Sequence, residues 1–183
     1  MPRPDTNLAR VDVAFRALQG TIASMSDADA RAASMLPGWS RGHVLTHIAR
    51  NADGNADMVE GAIRGEVVKQ YPGGAEQRSR DIEAGAHRPL VELAADVDRA
   101  QARLVVAWDR MPDDAWERTG DAMASGLRPI SAGVYSRVRE ISVHHVDLGL
   151  GYAPYDMPSD WIVDDIAWLR EFRTTATWPT APW

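Results

Sequence analysis

Apolar positions along the chain recur at three- and four-residue intervals, the spacing that gathers side chains onto one face of an α-helix. From Asp5 to Ser24 the series is Leu8, Val11, Ala14, Phe15, Leu18 and Ile22, which predicts a first helix. Residues 27–34 are polar and alanine-rich and predict no more than a short helical turn. Leu36-Pro37-Gly38-Trp39-Ser40 then breaks the chain, and Ser40 carries the hydroxyl of an N-cap. A second helix is expected from Arg41 to Arg64. His43, Val44, His47, Ile48, Asn51 and Asn55 lie near one side of it, Gly54 and Asn55 weaken its middle, and Gly65 stops it. Tyr71-Pro72-Gly73-Gly74 reads as a loop, with helix possible again from Ala75 to Gly85. Pro89 suits the first turn of a long helix reaching about Arg110, with Leu90, Leu93, Val97, Leu104 and Trp108 as its stripe.

Between Glu117 and Pro129 the pattern is broken by Gly120 and Gly126 and predicts a loop or a weak hairpin. Periodicity returns from Ser131 to Gly149 and again from about Ser159 to Thr174; the closing Trp178-Pro179-Thr180-Ala181-Pro182-Trp183 cannot continue a helix. Four long helices, a shorter fifth and no convincing strand make the expected fold all-α. It is an antiparallel four-helix bundle with a short additional C-terminal helix, in a single domain over residues 1–183.

Composition narrows the chemistry. The chain carries 26 acidic and 20 basic residues, a net charge of −6, with no basic stripe, so nucleic acid is not an expected partner. It has no cysteine. Disulfides, thiolate ligands and a protein thiol nucleophile are therefore excluded, and any sulfur chemistry must bring its sulfur from a cosubstrate. No apolar run approaches the ~18 residues of a membrane span, and Met1 to Arg16 lacks the core of a signal peptide. The expected location is cytoplasmic, with no membrane partner.

Four of the five histidines fall in two predicted helices, His43 and His47 in one and His144 and His145 in the other, the latter beside Glu140 and Asp147. Glu140 and His144 lie four positions apart, about 40° in angle and ~6 Å along a helix axis, so their side chains can converge. His43 and His47 share that spacing, and facing helices would let all four side chains share one metal. Such a set suits zinc, and equally an open two-histidine, one-carboxylate iron site. His145 points about 100° away from His144 and is expected at the surface or in packing. His87, before Arg88-Pro89, is expected to be exposed.

The stretch Leu36-Pro37-Gly38-Trp39-Ser40-Arg41-Gly42-His43-Val44-Leu45-Thr46-His47-Ile48-Ala49-Arg50-Asn51 resembles a signature of the mycothiol-dependent maleylpyruvate isomerase N-terminal domain family, among the DinB-like metal-binding four-helix bundles. Arg139-Glu140-Ile141-Ser142-Val143-His144-His145-Val146-Asp147-Leu148-Gly149 resembles its second signature, about 90 residues further on. Trp108 and the segment from Pro112 to Trp116 resemble its middle region, so the likeness spans roughly Leu8 to Leu169. The resemblance implies His47, Glu140 and His144 as ligands of a divalent metal, zinc foremost. His43 is then left at the helix start or behind a ligand.

Asp147 and Asn51 fall within one turn of a ligand. They can fix the tautomer of a ligating ring or serve as ordinary helix polar groups. Arg137 and Arg139 flank Glu140, where a cation suits either a carboxylate substrate or a solvent-facing ion pair. Trp39 and Trp108 are expected in interhelical packing. Longer family members carry a C-terminal domain, which this chain is not expected to have, and with it goes part of the resemblance's claim to maleylpyruvate isomerisation. The implied activity is that of a metal-dependent thiol transferase or isomerase in which mycothiol or a similar small thiol attacks a small electrophile. A hydrolase using metal-bound water and a non-catalytic metal-binding or sensing module are the alternatives, and a homodimer is left open.

Overall fold

The computed structural model describes residues 3–123 and 125–175, with side chains through residue 170. The first helix, α1, spans Asp5–Ala23 and buries Val11, Ala14, Leu18 and Ile22 from the predicted stripe. A short α2, Asp27–Arg31, is capped by Ser26. Helix α3 spans Arg41–Arg64, as its cap and stop signals predict: Ser40 caps it and Gly65 ends it at φ 80°, a left-handed conformation that glycine adopts freely. Then follow α4 (Gly74–Ala86) and α5 (Leu90–Asp109). The broken segment forms a hairpin, β1 (Thr119–Ala122) against β2 (Gly126–Pro129). Helix α6 is Ile130–Asp147. Helix α7, expected to be short, runs 17 residues over Ser159–Thr175. The final tryptophan–proline segment lies outside the described residues.

Ion pairs and hydrogen bonds fix the helix directions. Arg50 meets Asp96, Asp53 meets Arg99, and Asp57 and Glu60 meet Arg103, so α3 and α5 run parallel. Arg3 meets Asp109 and Gln19 meets Asp98, so α1 runs against α5. His47 meets Glu140 and His144 while Asn51 meets Arg137, so α3 runs against α6. The four long helices thus run up, down, down, up, and α4 occupies the crossover between the two parallel members.

Helix α3 is the centre of this arrangement. Val44, Leu45, Ile48, Ala49, Ala52 and Ala56 are fully buried in it, against Leu18, Leu104, Val138, Ile141 and Leu148 from its neighbours. Each large aliphatic group so buried contributes about 1.5–3 kcal/mol. The glycines that weaken α3 on propensity are packing devices. A Cβ at Gly42 would lie 2.1 Å from the Ala86 carbonyl oxygen, and one at Gly54 2.4 Å from that of Gln70. The first contact presses the end of α4 onto the start of α3. The second seats the loop before α4 on the middle of α3, where the hairpin also anchors through Gln70 N–H to the Asp121 carbonyl at 2.9 Å. Helix α7 adds the buried Trp161 to the core. Its Asp160 and Asp164 pair with Arg10 of α1.

Candidate metal centre

Antiparallel packing of α3 on α6 brings His47 opposite Glu140 and His144. The His47 Nε2 atom lies 3.1 Å from Glu140 Oε2 and 3.0 Å from His144 Nε2, and the last two atoms are 3.6 Å apart. His47 is buried, while Glu140 and His144 are partly open, so the cluster is reached by solvent from the α6 side. On the far side of His144, Nδ1 lies 2.8 Å from Asp147 Oδ2. That carboxylate can only accept, so it holds a proton on Nδ1 and aims the Nε2 position at the cluster.

The electrostatics separate the two rings. Burial disfavours the His47 cation and brings its pKa down to about 4, against the opposing pull of Glu140. Burial would lower His144 too, but its bonds to Asp147 and Glu140 outweigh that and raise it to about 9. Burial pushes Glu140 up, yet the two histidines hold it well below the usual carboxylate range. Two imidazole nitrogens and one carboxylate oxygen that already converge are a donor set that fits a divalent metal with room for a further ligand.

Two neighbours have no sequence signal of their own. Arg78 of α4 lies with its guanidinium Nη2 3.0 Å from His47 Nδ1, and it also stands 5.7 Å over the Tyr71 ring. Arg128 of β2 is partly buried, which lowers its pKa, and Glu140 is the charge that opposes this. Trp39 is more than packing: its ring meets the His47 ring edge-on at 5.7 Å and stacks with His43 at 6.1 Å, making one wall of the site.

The other candidates are placed elsewhere. His43 sits in the α3 cap, where its Nδ1 accepts from the Ser40 N–H at 3.1 Å, and its Nε2 is 3.0 Å from Glu83. Asn51 turns to Arg137 rather than to a ligating ring; its Oδ1 accepts from that guanidinium at 2.8 Å. Arg137 is itself buried, held also by Gln101 and the Ile48 carbonyl, and burial lowers it to about 10. Arg139 pairs with Asp165 at 2.5 Å and lies 4.1 Å over the Trp168 ring, the ion-pair alternative of the two expected for it. His145 is a packing residue, buried, with Nε2 2.7 Å from Thr21 Oγ1 and its ring stacked on Tyr152. His87 is exposed as expected, but pairs with Glu83 at 3.2 Å.

Residues 11–149 match the family described as the mycothiol maleylpyruvate isomerase N-terminal domain. Among solved structures, the chain is similar to the mycothiol-dependent maleylpyruvate isomerase at 28% identity, with a TM-score of 0.84 over 91% of this chain and 68% of that one. A histidine-to-alanine mutant of the mycothiol-dependent maleylpyruvate isomerase matches at 27% identity with the same TM-score and coverage. No curated protein matches the sequence.

Proposed function

Because the chain belongs to the mycothiol maleylpyruvate isomerase N-terminal domain family, we propose that it is a metal-dependent enzyme that sets a small thiol against a small electrophile. The observation that carries this reading is the convergence of His47, Glu140 and His144 with Asp147 behind. These three side chains would hold one divalent ion, zinc by the character of the donors. Such an ion supplies a Lewis acid that favours the thiolate form of a thiol at neutral pH. The thiol is mycothiol, by analogy with the solved relatives, and the absence of cysteine means that the chain itself contributes no competing thiol.

The chain's own residues do the remaining work. Asp147 fixes the His144 ring and keeps its proton on Nδ1. Trp39 shields the His47 side of the site from water. When the His47 proton sits on Nδ1, Arg78 loses its acceptor there, because a guanidinium only donates. Its charge is then available to a carboxylate on the electrophile. Two reactants held side by side convert a bimolecular encounter into a positioned attack.

The direct test is turnover of maleylpyruvate, and of a simple conjugating electrophile, with and without mycothiol. The expected result is activity that requires the thiol and is lost in Glu140→Ala. Turnover that proceeds equally well without any thiol would overturn the proposal in favour of hydrolysis.

A further inference from the structure

We propose that His43, Glu83 and His87 form a second divalent-cation site, at the junction of α3 and the end of α4. His43 Nε2 lies 3.0 Å from Glu83 Oε2, and His87 Nε2 lies 3.2 Å from Glu83 Oε1. One donor atom from each residue falls within 4.8 Å of the other two, and the two rings meet edge-on with centroids 5.5 Å apart. A tetrahedral zinc ion with bonds of 2.0–2.1 Å separates its ligand atoms by about 3.4 Å, so only small side-chain shifts are needed.

The backbone holds these residues together. Glu83 and His87 are one turn apart at the end of α4, and His43 lies in the first turn of α3. The close approach at Gly42 and Ala86, and that of Gly85 to Thr46, leave little freedom between the two helices. The charge is also right. Among the described residues the partners of Glu83 are the two imidazoles, so when both rings are neutral no cation among those residues pairs with its negative charge. Ser40 supplies the outer support: its Oγ lies 2.7 Å from His43 Nδ1 and can accept a hydrogen bond from the ring when the proton sits on Nδ1, leaving the Nε2 lone pair free for the ion. That exchange gives up the bond from the Ser40 N–H to Nδ1 but keeps the one from the His43 N–H to Ser40 Oγ.

Glu83 and His87 are 68% and 70% exposed, so the ion would exchange with solvent, keep water ligands and bind more weakly than at the first centre. Its effect would be to clamp α4, the helix that brings Arg78 to His47. The test is a zinc titration by calorimetry on protein already loaded with one tightly held equivalent. A further, weaker class of about one ion per chain is expected, and it should disappear in His87→Ala and Glu83→Gln and persist in His144→Ala. Absence of a weaker class in the wild type, or a weaker class that survives both substitutions, would overturn the proposal. The two substitutions lie on an exposed surface, and retention of the tight equivalent in each verifies that the fold is intact.

Discussion

At the scale of single residues, the proposed site depends on groups that touch the candidate ligands as well as on those ligands. Asp147 is the clearest case. Removing its charge in Asp147→Asn leaves all three donors in place but weakens the hold on the His144 tautomer. The expected loss is about 10–100-fold in metal affinity, measured by competition with a chromophoric chelator. His144 should make metal binding pH-dependent. Without metal it keeps its proton up to about pH 9, so the ion must displace that proton below this value. Affinity should therefore rise by roughly tenfold per pH unit until near 9 and then level off. Arg78→Met should raise KM for a carboxylate-bearing electrophile while leaving metal content unchanged; an equal rise for an uncharged electrophile would assign Arg78 to positioning His47 instead.

At the scale of elements, α3 carries most of the design. Its cap is doubly bonded, since the Ser40 hydroxyl accepts from the His43 N–H while the His43 ring accepts from the Ser40 N–H. Ser40→Ala should cost about 1 kcal/mol of stability in denaturant unfolding and loosen Trp39 beside the site. Gly42→Ala should cost more, because the new methyl meets the Ala86 carbonyl oxygen and must drive α4 away, taking Arg78 with it. These features mark the border of what the sequence discloses. The bounds of α3 follow from a serine cap, a periodic face and a terminal glycine, and the convergence of His47 with Glu140 and His144 is what the resemblance of two separated motifs implies. Arg78 could not be read, because its helix lies in the crossover and its seat on α3 depends on close approaches, at Gly42 among others, that no periodic pattern announces. For Arg139 the sequence left a substrate carboxylate or an ion pair open; its neighbour Glu140 is at the site, but an adjacent helical position faces elsewhere, and the ion pair, with Asp165, is what the structure shows.

At the scale of the whole molecule, the up-down-down-up order sets α3 against α6 and thereby makes the site; a simple alternation of directions would not leave α4 as a crossover beside it. No described helix is long and apolar enough to cross a membrane. Stability should follow the buried charges. The share due to His47 is complete above its ordinary pKa of about 6.5 and is lost as pH falls toward 4, because protonating the buried ring opposes folding. The share due to His144 has the opposite sense: it is complete below about 6.5 and is lost as pH rises through 9. Glu140 contributes above the ordinary carboxylate range and loses its share only in stronger acid. The metal-free protein should therefore melt at its highest temperature near neutral pH and lose stability on both sides in thermal denaturation. Bound metal should flatten the alkaline limb, since His144 is then deprotonated throughout.

The proposed chemistry requires one ion held by His47, Glu140 and His144. Elemental analysis of extensively dialysed protein, wild type beside His144→Ala and His47→Ala, tests it most directly. About one divalent ion per chain in the wild type, and little in either variant, is the predicted result. Equal metal in all three proteins, or none in the wild type even after reconstitution, would contradict it.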